Sequence, residues 1–293
     1  MPIGKKSISI TQNDMDPGPH TLDEDLALRF WGVRGSTPTP VARNLRYGGN
    51  TPCVSVNSDA DQLLIFDAGS GIRALGAELV QQARSPNKLH LFFTHFHWDH
   101  LQGLPFFAPL FRKDTHLIFH SARSPEELRS ILARQMTTPF FPVDFNNLPS
   151  TLDFRQIGAE EINFGNVGVE AFPLHHPQGA HGYRIANSHK SIVFATDHEH
   201  GDSAIDGNLR TLAHNADVLI YDAQYTPAEY PSREGWGHST WQQGVSVAAD
   251  AQVNQLILFH HDPDHDDDAL DAIVDEARKQ FPETIAAIEN STI

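Results

Sequence analysis

Thr94-His95-Phe96-His97-Trp98-Asp99-His100 follows directly on residues 89–93, a mainly apolar run that is typical of a buried strand. Histidine imidazole and aspartate carboxylate are ligands for zinc, iron and manganese. Because side chains alternate between the two faces of an extended segment, His95, His97 and Asp99 would project to the same side. A turn at the end of the strand would carry His100 toward a second ion. The spacing therefore predicts that this segment serves two adjacent metal ions.

Composition and length limit the classes to which this chain can belong. It has 293 residues, 40% of them hydrophobic, and a formal net charge of -16. This acidic balance disfavours a broad grip on nucleic acid, which needs a basic surface. A small phosphate ester is compatible with it, because bound cations reverse the local charge. Cys53 is the only cysteine, so no intrachain disulfide can form.

We expect neither a signal peptide nor a membrane span in this sequence. No stretch reaches the roughly 18 apolar residues that a membrane span needs. The N-terminus has Lys5 and Lys6 but no apolar segment behind them, which argues against a signal peptide. We therefore expect a cytoplasmic protein with no membrane partner.

The chain divides into a polar beginning and a long regular part. Residues 1–25 are polar and contain Asp16-Pro17-Gly18-Pro19, so we expect a flexible N-terminal arm, with a docking or dimerisation arm as the alternative. We expect residues 26–293 to form a single domain. Its strand signals lie near residues 27–31, 53–56, 62–66, 89–93, 116–120, 167–172, 182–185, 191–195, 218–221 and 256–259. Helix signals lie at 71–84, 125–135, 241–251 and 269–280, with a further helix-like start at Leu101. Two similar halves of this kind predict an α/β protein with two face-to-face sheets covered by helices.

Two segments each allow two interpretations. Residues 138–142, Thr-Pro-Phe-Phe-Pro, are either a loop over the functional site or a packing element. Asp266, Asp267 and Asp268 either begin a helix, where carboxylates oppose the macrodipole favourably, or bind a metal. The helix interpretation is the stronger one.

Three further strand ends carry residues that can bind metals. His175 and His176 follow residues 172–174, Asp197 follows residues 192–196, and His260 and His261 follow residues 256–259. One such pattern is weak, since strands often end in polar turns. Three of them, added to the array at residues 95–100, favour a two-metal site strongly.

Together these motifs resemble the metallo-β-lactamase superfamily of metallohydrolases, from about residue 28 to residue 265. The matching segments are Phe66-Asp67-Ala68-Gly69, Thr94 to His100, His176-Pro177, Thr196-Asp197, Gly237-His238-Ser239-Thr240 and Phe259-His260. The resemblance implies a four-layer αβ/βα sandwich, the metallo-β-lactamase fold, with a dinuclear metal centre at one edge. A full set of His and Asp ligands without cysteine resembles the phosphodiesterase and ribonuclease Z branch. His97 stands where diiron oxidoreductases of the superfamily often have an acid, which disfavours redox chemistry.

The resemblance also implies a ligand for each metal position. The first ion would take His95, His97 and His176, the second would take Asp99, His100 and His260, and Asp197 would bridge them. His175 and His261 are alternatives to their neighbours. His176 is preferred because His176-Pro177-Gln178-Gly179 is similar to the third-ligand motif of this branch. The implied cofactors are two divalent metal ions, with zinc, manganese and iron all compatible.

The catalytic roles follow from the same resemblance. The nucleophile would be a hydroxide that bridges the two metal ions, and Asp99 would act beside it as a ligand. His238 resembles the residue that protonates the leaving group, and Asp222 matches the acid that orients this histidine. A helix cap at Ser239 or Thr240 with a bystander His238 is the alternative.

Some residues have supporting or ambiguous roles. Asp67 is expected to accept a hydrogen bond from a ligand histidine or to fix its loop. For Arg34, Ser36, Thr37 and Asn50, a role in holding a phosphate and a plain loop structure are equally compatible with the sequence.

We therefore expect a phosphodiesterase acting on a small-molecule diester such as a cyclic nucleotide. The segments Phe30 to Pro38 and Gly48 to Thr51 resemble a bacterial group of uncharacterised hydrolases that are similar to cyclic nucleotide phosphodiesterases. Ribonuclease Z-like RNA processing is a weaker expectation, because residues 101–172 hold no Gly-rich basic arm and nucleic acid is a disfavoured partner of an acidic chain. A lactonase or thioesterase, which would use the same hydroxide, and a non-catalytic metal-binding regulatory module are further functions that this ligand set could serve. A homodimer is compatible with such folds, although no residue pattern points to one.

Overall fold

The computed structural model describes residues 26–58, 61–82, 86 and 88–293. The expected flexible arm over residues 1–25 lies outside the described residues. The described part contains two β-sheets and five α-helices in addition to short 3-10 turns.

The first sheet has six strands in the order of the chain. They are β1 (Leu28–Gly32), β2 (Cys53–Asn57), β3 (Gln62–Phe66), β4 (Lys88–Phe92), β5 (His116–Ser121) and β6 (Thr151–Gln156). The β1–β2 and β2–β3 pairs are antiparallel, and β3 to β6 are parallel. The carboxyl ends of β3, β4 and β5 therefore meet at one edge of the sheet.

The second sheet has seven strands in the order β13-β12-β11-β10-β9-β8-β7. They are β7 (Ile162–Phe164), β8 (Val167–Leu174), β9 (Ala180–Ala186), β10 (Ser191–Ala195), β11 (Val218–Asp222), β12 (Gln255–Phe259) and β13 (Thr284–Ala286). Strands β10 to β13 are parallel and β7 to β10 are antiparallel.

Five helices cover the outer faces of the sheets. They are α1 (Ile72–Gln81), α2 (Pro125–Gln135), α3 (Ser203–Ala213), α4 (Trp241–Asp250) and α5 (Asp267–Arg278). Apolar residues of α1 and α2 pack in one buried cluster with the first sheet, and those of α3, α4 and α5 pack in another with the second sheet.

A third cluster fills the space between the sheets and defines the sandwich. Strand β3 illustrates how alternation makes both layers, because Leu64 and Phe66 enter the cluster between the sheets while Leu63 and Ile65 enter the helix layer. Helix, sheet, sheet and helix layers thus follow one another, as the resemblance to the metallo-β-lactamase superfamily implied.

Three strands are each followed by a residue with an unusual backbone conformation. Asp67, Asp197 and His260 follow β3, β10 and β12, and their φ angles are 62°, 57° and 60°. Non-glycine residues rarely adopt this left-handed conformation, which costs on the order of 1–3 kcal/mol each and is concentrated at functional sites. Here it ends the strand with a sharp turn at a residue of metal-binding type.

The structure departs from the sequence prediction at several elements. Strands β6, β7 and β13 and helix α3 had not been predicted. The helix-like start at Leu101 is instead a pair of 3-10 turns, Leu104–Phe106 and Ala108–Phe111, because Pro105 and Pro109 interrupt a longer helix.

The two ambiguous segments differ in how far they pack. Phe141 packs edge-on against Phe106 with ring centroids 5.8 Å apart, which supports the packing interpretation for this residue, whereas Phe140 is exposed. Asp266 caps α5 by accepting a hydrogen bond from the Ala269 amide at 3.0 Å, so the helix interpretation of the three aspartates holds. Among the residues described, no helix is long and apolar enough to cross a lipid bilayer.

Candidate metal centre

Three histidines form one half of the site. His95 and His97 follow β4, and His176 follows β8 of the other sheet. The Nδ1 atom of His97 lies 3.0 Å from Nε2 of His176, and one nitrogen of each of the three rings lies within 4.8 Å of the others. These rings therefore aim at a common point, as the ligands of one metal ion do.

The protein holds the outer nitrogens of two of these rings in place. His176 Nδ1 lies 2.7 Å from the Gly237 carbonyl, to which it donates, and His95 Nδ1 lies 3.0 Å from the Thr94 hydroxyl. The remaining nitrogen of His95, Nε2, is buried without any hydrogen-bond partner among the described residues. A buried polar atom of this kind needs a partner, and a metal ion at the common point would supply one.

Asp99, His100 and His260 form the other half. Asp99 Oδ2 lies 3.4 Å from Nε2 of His100 and 3.3 Å from Nε2 of His260. His100 Nδ1 donates to Asp67 at 2.8 Å, and His260 Nδ1 donates to the side-chain amide oxygen of Gln224, Oε1, at 2.9 Å. These acceptors hold a proton on Nδ1 of each ring, so Nε2 is the nitrogen that faces the centre.

Asp197 lies between the two halves. Its Oδ1 is 3.7 Å from His95 Nε2 and 4.0 Å from His176 Nε2. Its Oδ2 is 3.2 Å from His100 Nε2 and 3.4 Å from His260 Nε2. One carboxylate oxygen thus faces each half, so Asp197 could be a ligand to an ion in either half. All seven residues named as ligands from the sequence come together here.

The neighbouring histidines, His175 and His261, point elsewhere. His175 Nδ1 lies 2.9 Å from the Glu199 carbonyl, and His261 Nε2 lies 3.0 Å from the Ala287 carbonyl. Neither belongs to a group of converging ligand atoms within the described part of the chain. The preference for His176 and His260 agrees with this geometry.

Electrostatics distinguish the two halves. Burial lowers the pKa of His95, His97 and His176, which keeps these rings in the neutral form that binds metals. Burial also opposes a charge on His260, but the carboxylates of Asp197 and Asp99 outweigh it and raise the pKa to about 9. The second half therefore attracts positive charge, whether protons or a metal cation.

His238 lies beside both halves and is held by a buried carboxylate. Its Nδ1 is 2.8 Å from Asp222 Oδ2, and its ring stacks on His260 with centroids 4.8 Å apart. Asp222 is fully buried and also accepts from the amides of Asp197 and Gln224, each at 3.0 Å. Thr240 does cap α4, but the cap leaves the His238–Asp222 hydrogen bond unexplained. This geometry matches a histidine whose tautomer is fixed by a carboxylate.

The four residues of the expected substrate loops separate into two groups. Arg34 is fully buried, and its guanidinium donates to the carbonyls of Gly48 and Asp262 at 2.8 and 3.1 Å and contacts that of His265. Asn50 donates its side-chain amide to Glu289 at 3.1 Å. These contacts favour the loop interpretation over the phosphate-holding one for both residues, because their side chains join separate loops.

Ser36 contacts the metal centre, and Thr37 beside it faces solvent. The backbone amide of Ser36 donates to Asp99 Oδ2 at 2.8 Å. The Ser36 hydroxyl accepts from the side-chain amide nitrogen of Gln224 at 3.4 Å. Thr37 is exposed next to it.

Two contributors were missed by the sequence analysis. Gln224 orients His260, and the Glu199 carboxylate accepts from the Tyr230 hydroxyl at 3.0 Å and from the Gly235 and Gly237 amides at 2.6 and 2.8 Å. Glu199 thereby holds the loop whose Gly237 carbonyl orients His176. Gln224 lies two residues after Asp222 in the sequence, and this position could have indicated that it reaches the site. Glu199 belongs to no motif.

Comparison with known proteins places this geometry in a family. The family model described as a beta-lactamase superfamily domain matches residues 63–261. Ribonuclease Z of Thermoplasma acidophilum is 24% identical over 307 aligned residues, which cover 90% of this chain and 94% of that protein. Ribonuclease BN of Escherichia coli is 25% identical over 271 residues, which cover 76% of this chain and 86% of that protein.

Solved structures show the same fold. The metallo-beta-lactamase fold protein YhfI from Bacillus subtilis has a TM-score of 0.68 at 16% identity and covers 92% of this chain and 100% of its own. A diphosphatase from the PhnP family has a TM-score of 0.67 at 19% identity and covers 92% of this chain and 97% of its own. The resemblance drawn from the motifs is confirmed, and this chain belongs to the beta-lactamase superfamily, with the metallo-β-lactamase fold and relatives of the ribonuclease Z type.

Proposed function

We propose that this protein is a dinuclear metal-dependent phosphodiesterase that cleaves small diesters. The observation that supports it best is the position of Asp197, whose two carboxylate oxygens face two separate sets of converging ligands. The proposed ligands are His95, His97 and His176 for one ion, Asp99, His100 and His260 for the other, and Asp197 for both.

The donor set fits divalent cations. Imidazole nitrogens and carboxylate oxygens suit zinc, manganese and iron alike. Two such ions would lower the pKa of a bound water and neutralise charge on the phosphate oxygens. The chain itself fixes the ligands, because Asp67, Gln224 and the Gly237 carbonyl each hold the far side of one ligand ring.

Proton transfer is the role we assign to His238. Asp222 accepts the Nδ1 proton, so Nε2 is the ring nitrogen that can donate a proton to a leaving oxygen. An alkoxide leaving group needs this proton, whereas a carboxylate or a thiolate leaves more easily. A buried His–Asp pair therefore favours diester cleavage over a lactonase or thioesterase activity.

RNA processing is a second candidate, and the relatives favour it. Two of the relatives named above are ribonucleases, which weakens the expectation that nucleic acid is a disfavoured partner. Against this candidate stands the acidic net charge of -16. Residues 101–172, all of them described, form β5, α2, β6, β7, most of β8 and short turns, with no long inserted arm.

One set of assays separates these functions. Purified protein is loaded with zinc or manganese, its metal content is measured, and it is offered bis(p-nitrophenyl) phosphate, a lactone and thioester panel, and a precursor tRNA. We expect two ions per chain and cleavage of the diester. Two bound ions with cleavage of acyl esters alone would refute the phosphodiesterase, and efficient tRNA cleavage would favour the second candidate.

A further inference from the structure

Two cavities adjoin the first half of the metal centre. The smaller, of about 290 Å³, is lined by His95, His97, Arg123 and Glu127 among others. The larger, of about 320 Å³, is within the usual size range of ligand pockets. The two share His95, Phe96, Arg123, Gln178 and Gly179, so they adjoin each other. Both cavities border the metal centre, because the proposed ligand His95 lines each of them and His97 also lines the smaller one.

Arg123 lies where the two cavities meet, and most of its hydrogen-bonding capacity is unused. It is exposed in the turn between β5 and α2, where its amide donates to the Ser121 hydroxyl at 3.1 Å. Its guanidinium makes one long contact, 3.5 Å to the Gln178 carbonyl, and no ion pair with the described residues. Arginine presents five N–H donors in a planar fork that matches a phosphate or a carboxylate.

The charge of the larger cavity favours an anion. None of the described residues that line it is acidic, although the chain has a net charge of -16. Burial, together with the positive charge of Arg123, lowers the pKa of His181, another lining residue, so its ring is neutral. Ser121 and Thr94 add hydroxyl groups to the wall. The acidic Glu127 lines the smaller cavity only.

We propose that the larger cavity is a subsite for a second anionic group of the substrate, a phosphate monoester held by Arg123. The inference rests on the proposed function, since it assumes that the diester to be cleaved lies at the metal centre next to His97. It narrows the substrate class to diesters that carry a terminal phosphate, such as short phosphorylated nucleotides.

The test uses two substrates with the same leaving group. They are the p-nitrophenyl ester of thymidine 5′-phosphate and the same compound with an added 3′-phosphate. We expect the 3′-phosphate to raise kcat/KM of the wild type by about ten- to a hundredfold, mainly through KM, as charge-assisted hydrogen bonds to phosphate do. Arg123→Ala should bring the ratio of kcat/KM for the two substrates to about one, and Arg123→Lys should keep part of the preference for the 3′-phosphate.

The matched control is Arg134→Ala. It removes the same charge from the last turn of α2, where Arg134 is exposed and donates to the Ser130 carbonyl at 3.2 Å. This variant should keep the wild-type ratio. A wild type without preference for the 3′-phosphate, or an Arg123→Ala variant that keeps the preference, would overturn the subsite.

A binding measurement separates failure of the subsite from failure of the proposed function. If metal-loaded wild type cleaves no diester, the phosphodiesterase proposal fails. In that case, calorimetry measures the binding of thymidine 3′,5′-bisphosphate and tests the subsite independently of catalysis. Binding that Arg123→Ala weakens about tenfold or more supports it, and equal binding by both proteins refutes it.

Discussion

Replacing His238 by alanine should slow cleavage most when the leaving group is a poor one. The proposed role of His238 is to give a proton to the leaving oxygen. An alkoxide such as a nucleoside 5′-oxygen needs that proton, whereas p-nitrophenolate leaves without it. The variant should therefore lose much more activity on a dinucleotide or a cyclic nucleotide than on bis(p-nitrophenyl) phosphate.

The size of the effect follows from the site. A positioned general acid contributes about 10²–10⁴-fold, so kcat on the alkoxide substrate should fall by that factor. The protein should still fold. Asp222 keeps three backbone donors, the amides of Asp197, Gln224 and Ser239, at 3.0, 3.0 and 3.3 Å. The lost hydrogen bond to His238 is then worth about 1.5–3 kcal/mol, which is less than the stability of a typical domain.

The assay measures kcat for both substrates, together with metal content and circular dichroism, for wild type and variant. His189→Ala is the matched control, because His189 is exposed in the turn that precedes β10, at the opposite end of that strand from Asp197. Equal losses on both substrates, with two metal ions still bound, would refute proton donation by His238. They would indicate instead that the ring only shapes the site.

Three further changes test separate parts of the structure. Asp197→Asn should reduce the metal content below two ions per chain and abolish diester cleavage, because the amide presents only one oxygen to the two halves. Chelator competition measures the affinity, and two ions retained at wild-type affinity would contradict the bridging role. Glu199→Ala should weaken metal binding by about 10–100-fold, because the loop that orients His176 loses its anchor, whereas the exposed control Glu126→Ala should bind as wild type does. Acidification should destabilise the fold through His120, because burial lowers the pKa of this histidine to about 3. Between about pH 6.5 and that value, the unfolded chain binds a proton that the folded chain does not. This group therefore removes about 1.4 kcal/mol of unfolding free energy for each pH unit of acidification. Urea unfolding at pH 7 and pH 5.5 measures this slope, and a His120→Phe variant with the same slope as wild type would exclude this origin.

The sequence was most informative where chemistry and local structure coincide. The spacing of His95, His97, Asp99 and His100 after an apolar strand predicted that they share a site, and they do. Helix α2 was predicted to its last residue, because Ser124 and Pro125 give a start signal that depends on neighbours in the chain alone. The partners from the second half, His176, Asp197 and His260, needed the resemblance to a known family as well.

Features that depend on tertiary contacts could not be predicted. Arg34 has the right charge for a phosphate, but its burial and its carbonyl partners arise only when residues 48 and 262 approach it in the fold. Helix α3 was missed because it buries only Leu209 and Ala213 and contains a glycine, so its apolar periodicity is weak. Strand β13 has three residues, too few for an alternation to be recognised.

The proposed ligands are divided between the two sheets. Four of them follow β4 of the first sheet, and three follow strands of the second. Neither sheet alone supplies the full ligand set of either ion, so binding free energy would act across the junction and add to the free energy of folding. The supply of metal would then set how long the protein survives as well as how fast it works, since chains made in a metal-poor cell would open more often and be degraded sooner.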